Sequence, residues 1–152
     1  VLKKVTIFAG LSEDALARIL EGSSFADFAA GEVIIREGTP ATDIYVVLEG
    51  RAKVILGLDD DPLEMYEFGP GNCLGEVAVI GILDHSASVV AYEDTRVMGI
   101  SRGQLMAISE RDKEAFALLI LNIARELARR LHRTDHILLH YTGHDGEKHG
   151  ER

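Results

Sequence analysis

Gly75-Glu76-Val77-Ala78 is followed, after seven intervening residues, by Ser86-Ala87-Ser88-Val89. A glycine lets a backbone approach an anion closely. A short helix that starts at such a glycine aims unpaired N–H groups at that anion. The Ser-Ala-Ser that follows offers hydroxyls and further amides. His85 stands just before it and is mostly neutral at pH 7. The stretch therefore reads as an anion site with His85 at its edge.

On both sides of this stretch the chain reads as short strands. Runs at 33–35, 44–48, 52–56, 63–68, 88–91 and 96–100 are apolar or alternate apolar with polar, as half-buried strands do. Gly31, Gly38, Gly50, Gly69 and Gly71 separate them, and Asp59-Asp60-Asp61-Pro62 reads as a hairpin tip. Many short strands at regular spacing point to a barrel or sandwich.

Helices flank the strands. Ser12 is a good N-cap for a helix carrying Leu16, Ile19 and Leu20, with Glu13 and Asp14 in its first turn and Gly22 at its end. Ser101-Arg102-Gly103-Gln104 reads as a capping box. A long helix then runs from about Asp112 to at least Leu131. From Ala115 to Ala124 only Asn122 is polar, so this helix expects burial on two sides. One side is expected to pack on the strands and the other on a second copy of the chain, the alternative being a central helix wrapped by its own chain. Leu119 and Ile123 are expected at that homodimer face.

Composition narrows the function classes. The formal net charge is −9, against the positive field that nucleic acid requires. A single cysteine, Cys73, allows no internal disulfide and fits a reducing cytoplasm. No apolar run is long enough for a membrane span. No nucleophile–base pair stands out, and no histidines lie on strands as a cupin metal site requires, so no enzyme is expected. His132, His136, His140 and His144 recur every four residues, but Gly143 is expected to interrupt the helix and no carboxylate or cysteine completes a ligand set. Residues 136–152 read as a His-rich, partly disordered tail, and no metal is expected.

The glycine pattern resembles the cyclic nucleotide-binding domain family. Gly31-Glu32-Val33-Ile34-Ile35-Arg36-Glu37-Gly38 is similar to its second-strand signature. Tyr45-Val46-Val47-Leu48-Glu49-Gly50 with Ala52-Lys53-Val54 is similar to its next strand pair, and Phe68-Gly69-Pro70-Gly71 leads into the phosphate cassette as the family requires. The likeness covers about Phe8 to Asp135. It implies an α+β domain spanning residues 1–135: an eight-stranded antiparallel β-roll of jelly-roll type, an N-terminal helix and a long C-terminal dimerisation helix. The ligand it implies is cAMP or cGMP.

The resemblance also assigns roles. Gly75, Glu76, Val77 and Ala78 match the cassette, with Glu76 at the position that accepts a hydrogen bond from the ribose 2′-hydroxyl. Ser86 and Ala87, with Ser88 beyond them, match the residues around the phosphate. Ala128-Arg129-Arg130-Leu131 matches the end of the long helix in catabolite-activator-like regulators, where Arg130 is expected to turn toward the pocket glutamate. Thr134 matches a threonine that reaches the purine, and Asp135 replaces a serine there. His85 replaces the arginine that meets the cyclic phosphate. Loss of that contact costs about 1.5–3 kcal/mol, roughly tenfold to a hundredfold in affinity. The function expected is thus a regulatory small-molecule sensor with weakened or altered cyclic nucleotide binding. The alternative is a ligand-free dimerisation or scaffold module of the same fold. Too few residues follow Asp135 for a helix-turn-helix, so direct DNA binding is not expected, and the effector partner is unassigned.

Overall fold

The computed structural model describes the backbone of residues 2–148 and the side chains of residues 2 and 4–133. Two 3₁₀ turns, Leu2–Lys4 and Thr6–Phe8, precede helix α1, Glu13–Gly22. Eight strands follow: β1 Ser24–Phe28, β2 Val33–Ile35, β3 Asp43–Glu49, β4 Ala52–Leu56, β5 Leu63–Phe68, β6 Cys73–Leu74, β7 Ser88–Ala91 and β8 Thr95–Ser101. Helix α2, Glu76–Gly81, lies between β6 and β7; α3, Arg102–Arg111, and α4, Lys113–Lys148, close the chain.

The strands form two antiparallel four-stranded sheets, in the orders β1-β8-β3-β6 and β2-β7-β4-β5. Strand β3 explains why 44–48 is a nearly unbroken apolar run. Its side chains alternate between faces, yet both faces are covered. Ile44 and Val46 enter the core shared with the helices, while Val47 enters the core between the sheets. Cys73 and Leu74 on β6 divide in the same way. At Gly50, after β3, φ is 86° and a Cβ would lie 2.3 Å from the Asp94 carbonyl oxygen, so only glycine fits.

The caps follow the sequence with one exception. Ser12 Oγ accepts the Ala15 N–H at 3.2 Å, Ser101 Oγ the Gln104 N–H at 3.1 Å, and Asp112 Oδ1 the Ala115 N–H at 3.0 Å. The reciprocal half of the expected capping box is absent. Gln104 Nε2 donates instead to the Ile19 carbonyl at 2.6 Å, because α1 ends against α3 and its last-turn carbonyl, which also accepts from Ser23 Oγ, has no helical N–H partner.

Helix α4 departs from expectation in two ways. Its backbone stays helical through Gly143 to Lys148, past the interruption expected at Gly143. Each helical glycine, Gly143 and Gly146, costs only about 1 kcal/mol relative to alanine, which a long helix tolerates. In addition, Leu119 and Ile123 do not lie at an outer face. They are 0% and 1% exposed, packed in the core with Ile7 and Phe8. Asn122 fixes that orientation by donating to the carbonyls of Ile7 at 3.0 Å and Ala9 at 2.9 Å. The outer face instead presents Ala117, Leu121, Ala124, Ala128 and Leu131. No helix among the described residues is long and apolar enough to cross a membrane.

Candidate ligand-binding site

Gly75 opens α2 in the left-handed region, at φ 83°. A Cβ there would sit 3.1 Å from the Asp43 carbonyl oxygen and 3.4 Å from His85 Cε1. Glycine thus lets the chain turn tightly and places Glu76 under the loop that carries His85. The Glu76 side chain is completely buried. Its Oε1 accepts a hydrogen bond from Arg130 Nη1, which α4 carries across the strands. Arg130 Nη2 also donates to the Cys73 carbonyl at 2.6 Å, and its guanidinium lies over the Phe68 ring, 4.9 Å from the centroid. The other carboxylate oxygen, Glu76 Oε2, is buried with no hydrogen-bond partner. An orphaned buried acceptor of this kind costs stability unless a donor reaches it.

These groups line a cavity of about 140 Å³ together with His85, Ser86 and Ala87. The rest of its wall is mostly apolar, including Ile35, Val54, Leu74, Leu83 and Val89, with Asp84 and Tyr66 as the polar exceptions. A second cavity of about 160 Å³ shares Tyr66, Phe68 and Arg130 with the first and reaches Arg133. A larger groove of about 410 Å³ lies between α1 and α3, but it contains none of the buried charges described above. The smaller cavity is the better candidate because it holds an unsatisfied carboxylate oxygen beside a titratable ring.

His85 is held by its own backbone. Its N–H donates to the Thr39 carbonyl at 2.9 Å, and its carbonyl accepts the Gly38 N–H at 2.8 Å. Burial lowers the imidazole pKa from its ordinary 6.5, against a weaker upward pull from Asp84. The ring is therefore neutral at pH 7. Among the described residues, Arg130 is the only arginine or lysine lining this cavity, and Glu76 already engages it. Burial, and then the neighbouring Glu76 charge, pushes the Cys73 thiol up to about 12, so it stays protonated and is no nucleophile.

The model for the cyclic nucleotide-binding domain matches residues 25–112. The chain belongs to the cyclic nucleotide-binding domain family. The cyclic AMP receptor protein of Thermus thermophilus is 28% identical over 137 residues, covering 88% of this chain and 61% of that protein. The crystal structure of the Thermus thermophilus catabolite activator protein superposes with a TM-score of 0.76 at 28% identity, over 88% of this chain and 61% of that one. A cAMP-dependent protein kinase regulatory subunit of Pyricularia oryzae is 27% identical over 101 residues, 66% of this chain and 25% of that protein. This chain therefore spans less than two thirds of these relatives' lengths.

Within this cyclic nucleotide-binding domain, Gly75, Glu76, His85, Ser86, Ala87 and Arg130 do converge on one cavity. Val77 and Ala78 also border it, although Val77 is half exposed and Ala78 packs into the helical core. Ser88 does not reach it: its Oγ accepts the Glu37 N–H at 3.0 Å and is spent on the fold. The side chains of Thr134 and Asp135 lie outside the described residues. Residue-by-residue reading misses the aromatic wall. Tyr66 and Phe68 meet edge to face at 5.6 Å, and their alternation on β5 is the signal that places them on one side.

Proposed function

We propose that this domain is a non-catalytic regulatory sensor that takes cAMP or cGMP weakly, with an affinity that rises as pH falls. The observation that carries the reading is the buried Glu76 carboxylate, one oxygen of which lacks a donor while lining the same cavity as His85 and Ser86. A ribose hydroxyl is a suitable donor for it. The strand orders support reading the two sheets as a jelly-roll β-roll. The relatives named for cyclic AMP supply the ligand class, and the formal charge of −9 disfavours direct contact with DNA. On this reading the output passes to an effector protein, and the single buried cysteine suits a reducing cytoplasm.

The pH dependence follows from His85. Its pKa is lowered in the unliganded protein. An anionic phosphate beside it favours the protonated ring and raises that pKa on binding. Affinity is then flat at high pH, rises as pH falls through the bound-state value, and levels off below the free-state value, which lies under 6.5. Calorimetric titration with cAMP and with cGMP is expected to show tighter binding at pH 6 than at pH 8. Sub-micromolar affinity that does not change with pH contradicts the proposal. No heat at either pH supports the second reading, a ligand-free module, which the Arg130–Glu76 pair favours by filling the site internally.

We further propose a two-fold dimer through α4. Ala117, Leu121, Ala124, Ala128 and Leu131 alternate at spacings of four and three, the seam of a coiled coil. Leu121 and Leu131 are 46% and 63% exposed in the single chain. Wild type is expected to sediment as a dimer at micromolar concentration, and Leu121→Glu as a folded monomer. A monomeric wild type contradicts the proposal.

A further inference from the structure

Helix α2 ends in a conformation its sequence does not favour. Ile82 caps it at φ 54°, ψ 52°, in the left-handed region. The Ile82 and Leu83 N–H groups both reach back to the Ala78 carbonyl, the latter at 2.9 Å. This closing turn ordinarily takes glycine, which has no Cβ to clash. A β-branched residue there is strained, at a cost of about tenfold in population. Burial offsets none of it, since Ile82 is 76% exposed.

Arg102 supplies the opposing hold. It is the first residue of α3, yet its guanidinium reaches the end of α2. Nη2 donates to the Val79 carbonyl at 3.2 Å and to the Ala41 carbonyl at 3.2 Å, and Nε donates to Val79 at 3.4 Å. Val79 lies in the last turn of α2, where carbonyls have no helical partner. One planar fork thus ties the cassette helix, the loop before β3 and the start of α3 together, a span that a lysine's single ammonium covers poorly.

We propose that Arg102 is a positioning residue: it holds α2 in its strained geometry and couples release of that helix to α3. The coupling belongs to the fold and stands whether or not a nucleotide binds. Because α3 leads directly into α4, a shift at the C-terminal end of α2 is passed to α3 through this side chain, while the N-terminal end of α2 meets α4 directly through Glu76 and Arg130. Amide hydrogen exchange on the intact protein tests it, read on peptides covering α2 and α3. Relief of strain in Ile82→Gly is expected to slow exchange in α2 by about tenfold, and to slow it in α3 as well. Arg102→Ala is expected to speed exchange in α2 while the sheets keep their protection. In the double variant, the protection that Ile82→Gly brings to α3 is expected to vanish. Arg102→Lys should resemble Arg102→Ala more than wild type, and it replaces the alanine variant should that fail to fold. Unchanged or faster α2 exchange in Ile82→Gly overturns the proposal, as does α3 protection that is absent with Arg102 present or persists without it.

Discussion

Replacing Arg130 with methionine is expected to lower the melting temperature by about 10 °C, and adding Glu76→Gln to recover most of that loss. Glu76 is fully buried and Arg130 is 18% exposed, so the variant leaves an uncompensated carboxylate in the core. Breaking a buried pair by removing one partner costs about 3–5 kcal/mol, and in a chain of this size each kcal/mol is worth about 2–4 °C. Methionine keeps apolar contact with the Phe68 ring but makes no bond to the Cys73 carbonyl. The second substitution removes the charge while keeping the shape, so little desolvation cost remains. Differential scanning calorimetry of the three proteins checks this. An unchanged melting temperature in Arg130→Met would show that the pair is not closed in solution.

His85→Arg is expected to tighten cAMP binding by about tenfold to a hundredfold. The gain corresponds to about 1.5–3 kcal/mol for a charge-assisted contact. Gly75, Ser86 and Ala87 already border the cavity at that point, and a permanent planar cation is the part that is missing. The variant should also lose the pH dependence of wild type, since arginine does not titrate in this range. Glu76→Ala should weaken whatever binding remains. Calorimetric titration at pH 8, where the wild-type histidine contributes least, gives the largest contrast. An unchanged affinity in a folded His85→Arg protein would mean that the cavity has lost more than its arginine, and would favour the ligand-free module.

Most of the framework is legible in the residues, and the exceptions have physical causes. Six strands show as apolar or alternating runs: in five of them a face meets a core, while β5 alternates although only its Phe68 is buried. Strand β1 lacks that signal: it is an edge strand paired only with β8, and four of its five residues are exposed. Strand β6 has two residues and cannot show a period. The apolar run from Ala115 to Ala124 reveals a helix packed into the core but not which of its faces is buried. Asn122 settles that by reaching the N-terminal carbonyls, a contact between residues more than a hundred positions apart. In the site, the glycine turn and the Glu76-to-His85 spacing are local and readable. The destination of Ser88 and the hold of Arg102 on α2 depend on distant backbone groups, Glu37 and Val79, that no local pattern announces.

In the proposed mechanism a neutral histidine stands where the ligand phosphate binds and takes up a proton when it does. NMR titration of the His85 ring, with and without saturating cAMP, measures this directly. The expected result is a pKa below 6.5 in the unliganded protein and a distinctly higher one in the complex. A His85 pKa that cAMP leaves unchanged, in a protein that demonstrably binds it, would rule out this role for His85.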